Sequence, residues 1–414
     1  MSEFNSDELI APSWMNEQFF QEVLRNCECE EKLLVQNVKL APASAKGDHY
    51  ASIMFRAIVT YSINQSENKS KSMIIKTMPE IEGNKKELFE KSFIFETEIG
   101  MYSKTIPKFH EELRNIGDDT ILGAKALYYS LQPRKVIVFE DIALKGYGVL
   151  SERMANMEEA KMAFLKLSKW HALSYKLASE GDTNVSSYCE SFFNRNDLEK
   201  IPFMTGGIKN FIDKIDTIDE LRKYVPHLRR LAEDLLKKCI ASTKAYRDKS
   251  PKGIFVLNHG DFHFKNIMVK RNGEKKLVDV MLIDFQMCSF GPAILDVMYG
   301  IYMLLDPKLR STYFDEIMYF YCSNFIDTLK KLKFQGEIPK ITDFYIEMYC
   351  HPHWELFLLT TFLPLWYGLI DKQFGELDEI LNSDEERAKL YDNPNYLEDV
   401  LQTLPKMFNQ GYLE

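Results

Sequence analysis

The run from Ile254 to Gln286 constrains this chain more than any other, because it fixes three oxygen-bearing side chains along a loop and a hairpin. Ile254 to Leu257 is apolar and partly β-branched, and it stops at Asn258-His259-Gly260-Asp261. Extended character resumes over Ile267 to Val269. Arg271-Asn272-Gly273-Glu274 then supplies an Asn-Gly turn signal, and Leu277 to Ile283 reads as the returning strand. Such a hairpin puts Asn266 just before one strand and Asp284 at the end of the other. Asp261 sits in the loop five residues ahead of Asn266. An ordinary hairpin with acidic turn residues is the competing reading, and the joint occurrence of the three groups in this order weighs against it.

That set of groups suits phosphoryl transfer. Asn266 and Asp284 offer the hard oxygen ligands that magnesium prefers, and the metal keeps water or phosphate in its other positions. Asp261 suits the orientation of a substrate hydroxyl and acceptance of its proton.

A chain of 414 residues with 45% hydrophobic content can bury a large core and predicts two domains or lobes. Its formal charge of -9, with no long Lys/Arg field, argues against a nucleic-acid footprint. The seven cysteines lack ligand-like clustering and read as reduced thiols of a cytoplasmic protein. Glu3, Asp7 and Glu8 open the sequence where a signal peptide would need an apolar core. The most apolar run, Leu356 to Ile370, contains Pro364 and is bordered by Glu355, so a buried helix pair is expected and no membrane span.

Phe19, Phe20, Val23 and Leu24 recur at helical spacing and predict a first amphipathic helix. Strands are expected over Val35 to Leu40, Ser52 to Tyr61 and Lys71 to Met78. The turn between the first two carries Gly47, a weak signal for a phosphate-covering loop. Lys76 ends the run Met73-Ile74-Ile75-Lys76, where an amine beside apolar neighbours needs a partner. A helix is predicted over Lys85 to Ile106 with Leu88, Phe95, Ile99, Tyr102 and Ile106 on one face. Glu98 borders that face and Glu96 points nearer the opposite side, so Glu98 is the expected partner of Lys76. Surface positions for the lysine and the carboxylate are the plainer alternatives.

Two short strands, Leu127 to Leu131 and Lys135 to Phe139, precede Glu140-Asp141-Ile142, whose backbone suits an adenine edge. The lobe boundary is expected there, with residues 1–139 as the first lobe and 140–414 as the second. The second reads as mainly helical: Met157 to Ala178, Phe211 to Ile215, Leu221 to Tyr246 with Pro226 starting the main helix, Ile294 to Leu304, and Tyr313 to Leu332. Phe344 to Ile370 is expected to break at Pro364, and a last short helix to run from Tyr396 to Met407. His171 is expected as a packed core histidine. Asp296 is read as holding the catalytic loop, with a solvated cap as the alternative.

These motifs resemble those of the ecdysteroid kinase-like family, a branch of the protein-kinase-like superfamily near choline kinases and aminoglycoside phosphotransferases. The marks are Gly47 to Ser52, Lys76, the Phe95–Glu98–Tyr102 segment, Phe139-Glu140-Asp141 and Trp170-His171-Ala172. To these add His259-Gly260-Asp261 with Asn266, Ile283-Asp284-Phe285-Gln286, and Pro292 with Asp296. The resemblance implies an α+β, two-lobed protein-kinase-like fold with a small antiparallel-sheet N-lobe, a large mainly helical C-lobe, and ATP and magnesium at the cleft. It assigns base chemistry to Asp261, metal ligation to Asn266 and Asp284, and loop support to His259 and Asp296. Nucleotide contacts fall to Gly47, Ser52, Lys76 with Glu98, Glu140 and Ile142. Gln286 stands where protein kinases have glycine, and only a short run separates Phe285 from Ala293, which argues against a protein substrate. The implied partner is a small-molecule hydroxyl acceptor, an ecdysteroid or another apolar alcohol, in a monomer or weak dimer. Choline-like or xenobiotic acceptors, a hydrolase, and a catalytically silent nucleotide-binding protein are the alternatives.

Overall fold

Along Ile53–Ile63, residues Ile53, Phe55, Ala57, Val59 and Tyr61 are buried, the period of two expected of a strand with one face on a core. In the computed structural model this strand, β2, lies between β1 (Leu33–Pro42) and β3 (Lys69–Thr77). With β4 (Ala126–Ser130) and β5 (Val136–Glu140) they form an antiparallel sheet in the order β1-β2-β3-β5-β4. Helix α1 (Glu17–Glu28), capped by Asn16, lays Phe19, Phe20, Val23 and Leu24 on the inward face beside Phe55, Met73, Ile75 and Val138. The structure describes residues 9–43, 52–64, 67–79, 93–150, 153–189, 193, 198–248, 253–373 and 377–414. The turn around Gly47 lies outside them.

The helix expected over Lys85 to Ile106 is described from Ile94 and does not stop at Ile106. Helix α2 (Ile94–Gly100) passes through a π turn (Met101–Thr105) into α3 (Ile106–Asn115), which contains Pro107. Proline's missing N–H is tolerated there because the wider turn precedes it.

The chain divides into two compact units, Met1–Lys108 with Gly123–Tyr147, and Phe109–Leu122 with Gly148–Glu414. The later cut falls after Tyr147, and the division is not a single cut. Phe109–Leu122 belongs with the second unit for identifiable reasons: Phe109 packs edge-on against Trp170 at 5.2 Å, and Lys166 donates to the Ile121 carbonyl at 2.6 Å. The fold is α+β, with the sheet in the first unit and a mainly helical second unit.

In the second unit α4 (Met157–Ser179) is buried along most of its length, and α5 (Pro202–Ile215) buries Phe203, Phe211 and Ile215. The block expected over Leu221 to Tyr246 is not one main helix. It divides into a single turn at Asp219–Arg222, α6 (Val225–Ala232), in whose first turn Pro226 stands, and α7 (Leu235–Thr243). Strands β6 (Phe255–Asn258) and β9 (Ser289–Pro292) pair antiparallel, as do β7 (Ile267–Arg271) and β8 (Leu277–Leu282). The β7–β8 turn takes its left-handed residue at Lys275 rather than at Gly273, and the Asn272 side chain accepts from Glu274 and Lys276 N–H. Helices α8 (Ala293–Met303) and α9 (Pro307–Lys331) follow, and α9 packs against α4. Among the described residues no helix is long and apolar enough to cross a membrane.

The expected break at Pro364 is displaced. The helical region stops after α10 (Ile341–Cys350) and restarts at Pro352 as α11 (Pro352–Phe357). It then runs through a second π turn (Leu358–Phe362) into α12 (Leu363–Ile370), with Pro364 in its first turn. The carbonyl that Pro364 would otherwise engage belongs to Thr360, and it accepts the Tyr391 hydroxyl at 2.7 Å, while the Leu359 carbonyl accepts Tyr396 at 3.0 Å. Packing from elsewhere thus supplies the bond that proline cannot. Short helices α13 (Leu377–Asn382) and α14 (Asp384–Lys389) lead to α15 (Pro394–Asn409), which is longer than the expected tail helix. Because the Tyr391 hydroxyl also reaches the Gly207 carbonyl at 2.9 Å, Y391F should cost about 1–3 kcal/mol. It should lower the thermal midpoint more than Y396F does. Equal midpoints for the two variants would contradict this account of Pro364.

Candidate active site

Strand β6 is held along both edges. Phe290 of β9 lies opposite Leu257 on one side. On the other, Trp170 Nε1 donates to the Leu257 carbonyl at 2.7 Å and Ser174 Oγ accepts the Leu257 N–H at 2.9 Å. The loop that follows therefore departs from a fixed point. Gly260 has a φ of +80°, and a Cβ there would stand 2.2 Å from the Met287 carbonyl oxygen, so the position requires glycine.

Asp296, in the first turn of α8, meets this loop with both oxygens. Oδ2 accepts the His259 N–H at 2.7 Å and Oδ1 accepts the Gly260 N–H at 3.0 Å. His171 Nε2 lies 3.2 Å from Oδ2, and His171 Nδ1 is 2.7 Å from the Tyr321 hydroxyl, so His171 is the buried, hydrogen-bonded histidine expected. His259 Nε2 reaches the Ile283 carbonyl at 3.1 Å. A carbonyl only accepts, so the ring hydrogen is on Nε2, and Nδ1 is buried without a partner among the described residues. Burial holds the His259 pKa below its ordinary value, against the opposing pull of Asp296, Asp261 and Asp284.

Asp261, Asn266 and Asp284 come together around the start of the hairpin. Asn266 Nδ2 donates to the Asp261 carbonyl at 2.9 Å and to Asp261 Oδ2 at 3.0 Å. Both amide hydrogens are thereby used, which leaves Asn266 Oδ1 as the atom suited to a hard cation. The Ile283 N–H donates to the Asn266 carbonyl at 3.1 Å and fixes Asp284 next along the chain. Asp284 has a φ of 67° and a ψ of 65°, left-handed values uncommon for a residue with a side chain. Gln286 Nε2 donates to Asp284 Oδ2 at 3.3 Å, and Gln286 Oε1 is buried without a partner among the described residues. Among the described residues no three His, Cys, Asp or Glu side chains cluster as a metal site. The oxygens at this position belong to a carboxylate and an amide, the hard donors that suit magnesium.

Sequence reasoning passed over two aromatic neighbours of Asp261. The Tyr299 hydroxyl donates to Asp261 Oδ1 at 2.9 Å, and His263 Nε2 lies 3.3 Å from the same oxygen. The Trp366 ring sits 4.3 Å from that of His263, and its indole N–H is buried without a partner among the described residues. Burial acts to raise the Asp261 pKa, but the proximity of His263 and the hydrogen bonds from His263 and Tyr299 outweigh it and leave the carboxyl below its ordinary value. Burial and the Asp261 charge push the Tyr299 phenol well above its own. Tyr299 stands one helical turn after Asp296 on α8, a spacing that could have signalled it.

A third missed residue is Glu347 of α10. It accepts the Ile254 N–H at 2.9 Å at the start of β6, and the Ile294 N–H in the first turn of α8 also pulls on its carboxyl.

In the first unit Lys76 Nζ lies 2.6 Å from Glu98 Oε2, with side chains 4% and 2% exposed. Lys76 stands across from Met54 on β2 and Ile137 on β5, on the sheet face opposite Met73 and Ile75. Glu96 instead pairs with Lys135 at 2.8 Å. Ser52 is buried just before β2, and Gly47 lies outside the described residues. The Glu140 carboxylate accepts the Lys125 N–H at 2.9 Å and pairs with Lys145, so a nucleotide contact there would use its backbone. Ile142 is buried at the start of a 3-10 turn, which Asp141 caps while paired with Arg56 at 2.8 Å.

Two predictions follow from these pairings. Removing one partner of the Lys76–Glu98 pair strands a buried charge, at a cost of about 3–5 kcal/mol. K76A, E98A and the double variant should therefore lose much less together than the sum of the single losses in activity and stability. Additive losses would separate the two residues. Burial raises the Glu347 carboxyl from 4.5 to about 8, against the pull of the Ile254 and Ile294 N–H groups. The folded chain holds that proton more tightly than the unfolded one, so this stability is complete below pH 4.5 and lost as pH rises through about 8. E347Q should flatten the alkaline loss in unfolding titrations, whereas an unchanged slope would assign the loss to other groups such as Glu355.

Residues 46–334, more than two thirds of the chain, match the model of the ecdysteroid kinase-like family. No curated protein matches the chain by sequence. Among solved structures it is similar to a microcompartment-associated aminopropanol kinase, at 12% identity over 93% of this chain and 99% of that one, with a TM-score of 0.39. Amicoumacin kinase hAmiN, in complex with AMP-PNP, Ca2+ and Ami, gives 13% identity over 92% and 95%, with a TM-score of 0.41. Choline kinase LicA from Streptococcus pneumoniae gives 12% over 91% and 98%, with a TM-score of 0.34. By the extent of its family match, the chain belongs to the ecdysteroid kinase-like family.

Proposed function

We propose that this chain transfers the γ-phosphoryl group of ATP to a hydroxyl of an ecdysteroid-like or other small apolar alcohol. The observation that carries the reading is the interlock of Asn266 with Asp261, in which one amide spends both hydrogens on the loop aspartate. That arrangement orients a base and a metal ligand with a single side chain. Magnesium held by Asn266 Oδ1 and Asp284 would neutralise charge between phosphates.

Asp261 accepts the hydrogen bond of the acceptor hydroxyl, points its oxygen at the phosphorus and takes up its proton as the new P–O bond forms. His259 and Asp296 keep the loop in place. Lys76, held by Glu98, serves the α and β phosphates. Ser52 would serve the phosphates, a role the family resemblance also gives Gly47, and the backbone at Glu140 and Ile142 would serve the adenine edge. An acceptor with an apolar body is supported by the buried rings of Tyr299 and Trp366 around His263. The complete set of Lys76, Glu98, Asp261, Asn266 and Asp284 argues against a catalytically silent protein.

Mass spectrometry of products formed from ATP, magnesium and a panel of ecdysteroids, xenobiotic alcohols and choline tests the reading. D261N should bind ATP normally and lose about a hundredfold or more in turnover. D284A should nearly abolish turnover in a folded protein, and N266A should recover part of its activity at high magnesium. Full activity of folded D284A would remove the metal assignment, and choline as the only phosphorylated acceptor would remove the apolar-alcohol reading.

A further inference from the structure

The donors around Asp261 leave it little acceptor capacity. Oδ1 takes the Tyr299 hydroxyl at 2.9 Å, and His263 Nε2 stands 3.3 Å away. His263 Nδ1 accepts the Lys265 N–H at 3.2 Å, so the ring hydrogen is on Nε2, the nitrogen beside Asp261. Oδ2 takes one hydrogen of Asn266 at 3.0 Å. An ionised carboxylate offers about four lone-pair positions, two on each oxygen. Oδ1 is therefore filled and Oδ2 has one position left, among the described residues.

Both donors to Oδ1 are locked. Tyr299 is 4% exposed on α8, the helix whose Asp296 also holds the loop, and His263 is 7% exposed beneath the Trp366 ring at 4.3 Å. Neither bond is needed to anchor the loop, which Asp296 already holds through the His259 and Gly260 N–H groups. Their effect falls on the carboxylate itself.

We propose that Tyr299 and His263 are positioning residues that fill Asp261 Oδ1, so that the acceptor hydroxyl is taken by Oδ2 alone, on the Asn266 side. A single acceptor position selects one hydroxyl of a polyol and leaves no second place on the base where water or a neighbouring hydroxyl is activated. This rests on the phosphotransfer reading above. The step balances without another reactant: the hydroxyl oxygen bonds to the γ-phosphorus, the bond to the bridging oxygen breaks with its electron pair leaving on the diphosphate, and the proton passes to Oδ2.

The test compares the full-length protein with Y299F, H263L, H263Q and D261N, in ATP and magnesium with an ecdysteroid carrying a vicinal diol. Phosphorylated regioisomers and free phosphate are counted per ATP consumed. Phosphate released to water is read in the same reactions, so the comparison does not need the diol to be the natural acceptor. With one hydrogen bond to the base gone, Y299F should keep the KM for ATP, lose about tenfold in kcat, and raise free phosphate or the minor regioisomer several-fold. H263L should do the same, and H263Q, which retains a donor near the position of Nε2, should recover coupling. Wild-type coupling and a single regioisomer in folded Y299F and H263L would overturn the inference while leaving phosphotransfer intact. No ATP turnover by the wild type, or D261N as active as the wild type, would instead overturn the phosphotransfer reading, and this inference with it.

Discussion

A buried carboxylate is expensive unless donors surround it, and the site depends on how Asp296 meets that requirement. Taking such a charge out of water costs several kcal/mol even after relaxation. Asp296 is only 2% exposed, and the backbone N–H groups of His259 and Gly260 and the His171 ring reach it. The dependence runs both ways. Without the carboxylate those two loop N–H groups lose their acceptor, and without the loop the carboxylate is stranded. A left-handed glycine closes the arrangement, since any side chain at Gly260 would collide with Met287.

From that anchor the order of the site spreads through elements distant in sequence. Trp170, Ser174 and His171 all project from α4, and they hold respectively the carbonyl of Leu257, its N–H, and Asp296. Trp170 also stacks on Phe285, directly after Asp284, at 5.0 Å with ring planes 13° apart. One helix thus braces the strand that enters the loop and the residue that follows the second candidate ligand. Glu347 adds a tie from α10 by accepting the Ile254 N–H at the start of β6. Many modest hydrogen bonds acting on one short loop hold a geometry that no single bond of about 1 kcal/mol would keep.

The first unit solves its own problem of a buried charge in the same manner. Lys76 sits on a sheet face between apolar neighbours, where an unpaired ammonium would lose its proton or draw in water. Glu98 from α2 removes that choice by pairing with it at 2.6 Å. The pair is better understood as a device for holding a long, flexible amine in one place than as a source of stability, since hydrophobic replacements of such pairs are often as stable.

The sequence by itself determined the parts of this protein that depend on short spacings along the chain. A period of two marks the strands and a three-and-four spacing marks α1. The five-residue step from Asp261 to Asn266, together with the hairpin that returns to Asp284, makes three residues neighbours whatever surrounds them. Glu98 was distinguishable from Glu96 because helical geometry alone assigns them to different faces. What only the tertiary structure decided involves partners far apart in the chain. Trp366 over His263 and Glu347 at the start of β6 leave no periodicity to read, and the spacing of Tyr299 from Asp296 does not reveal that its hydroxyl reaches Asp261 Oδ1. The helix around Pro364 belongs with them. Local rules place a break there, but the Tyr391 hydroxyl takes the Thr360 carbonyl that proline leaves unmatched, and the helix continues. Propensity states what the backbone loses at a position, and only packing states what replaces it.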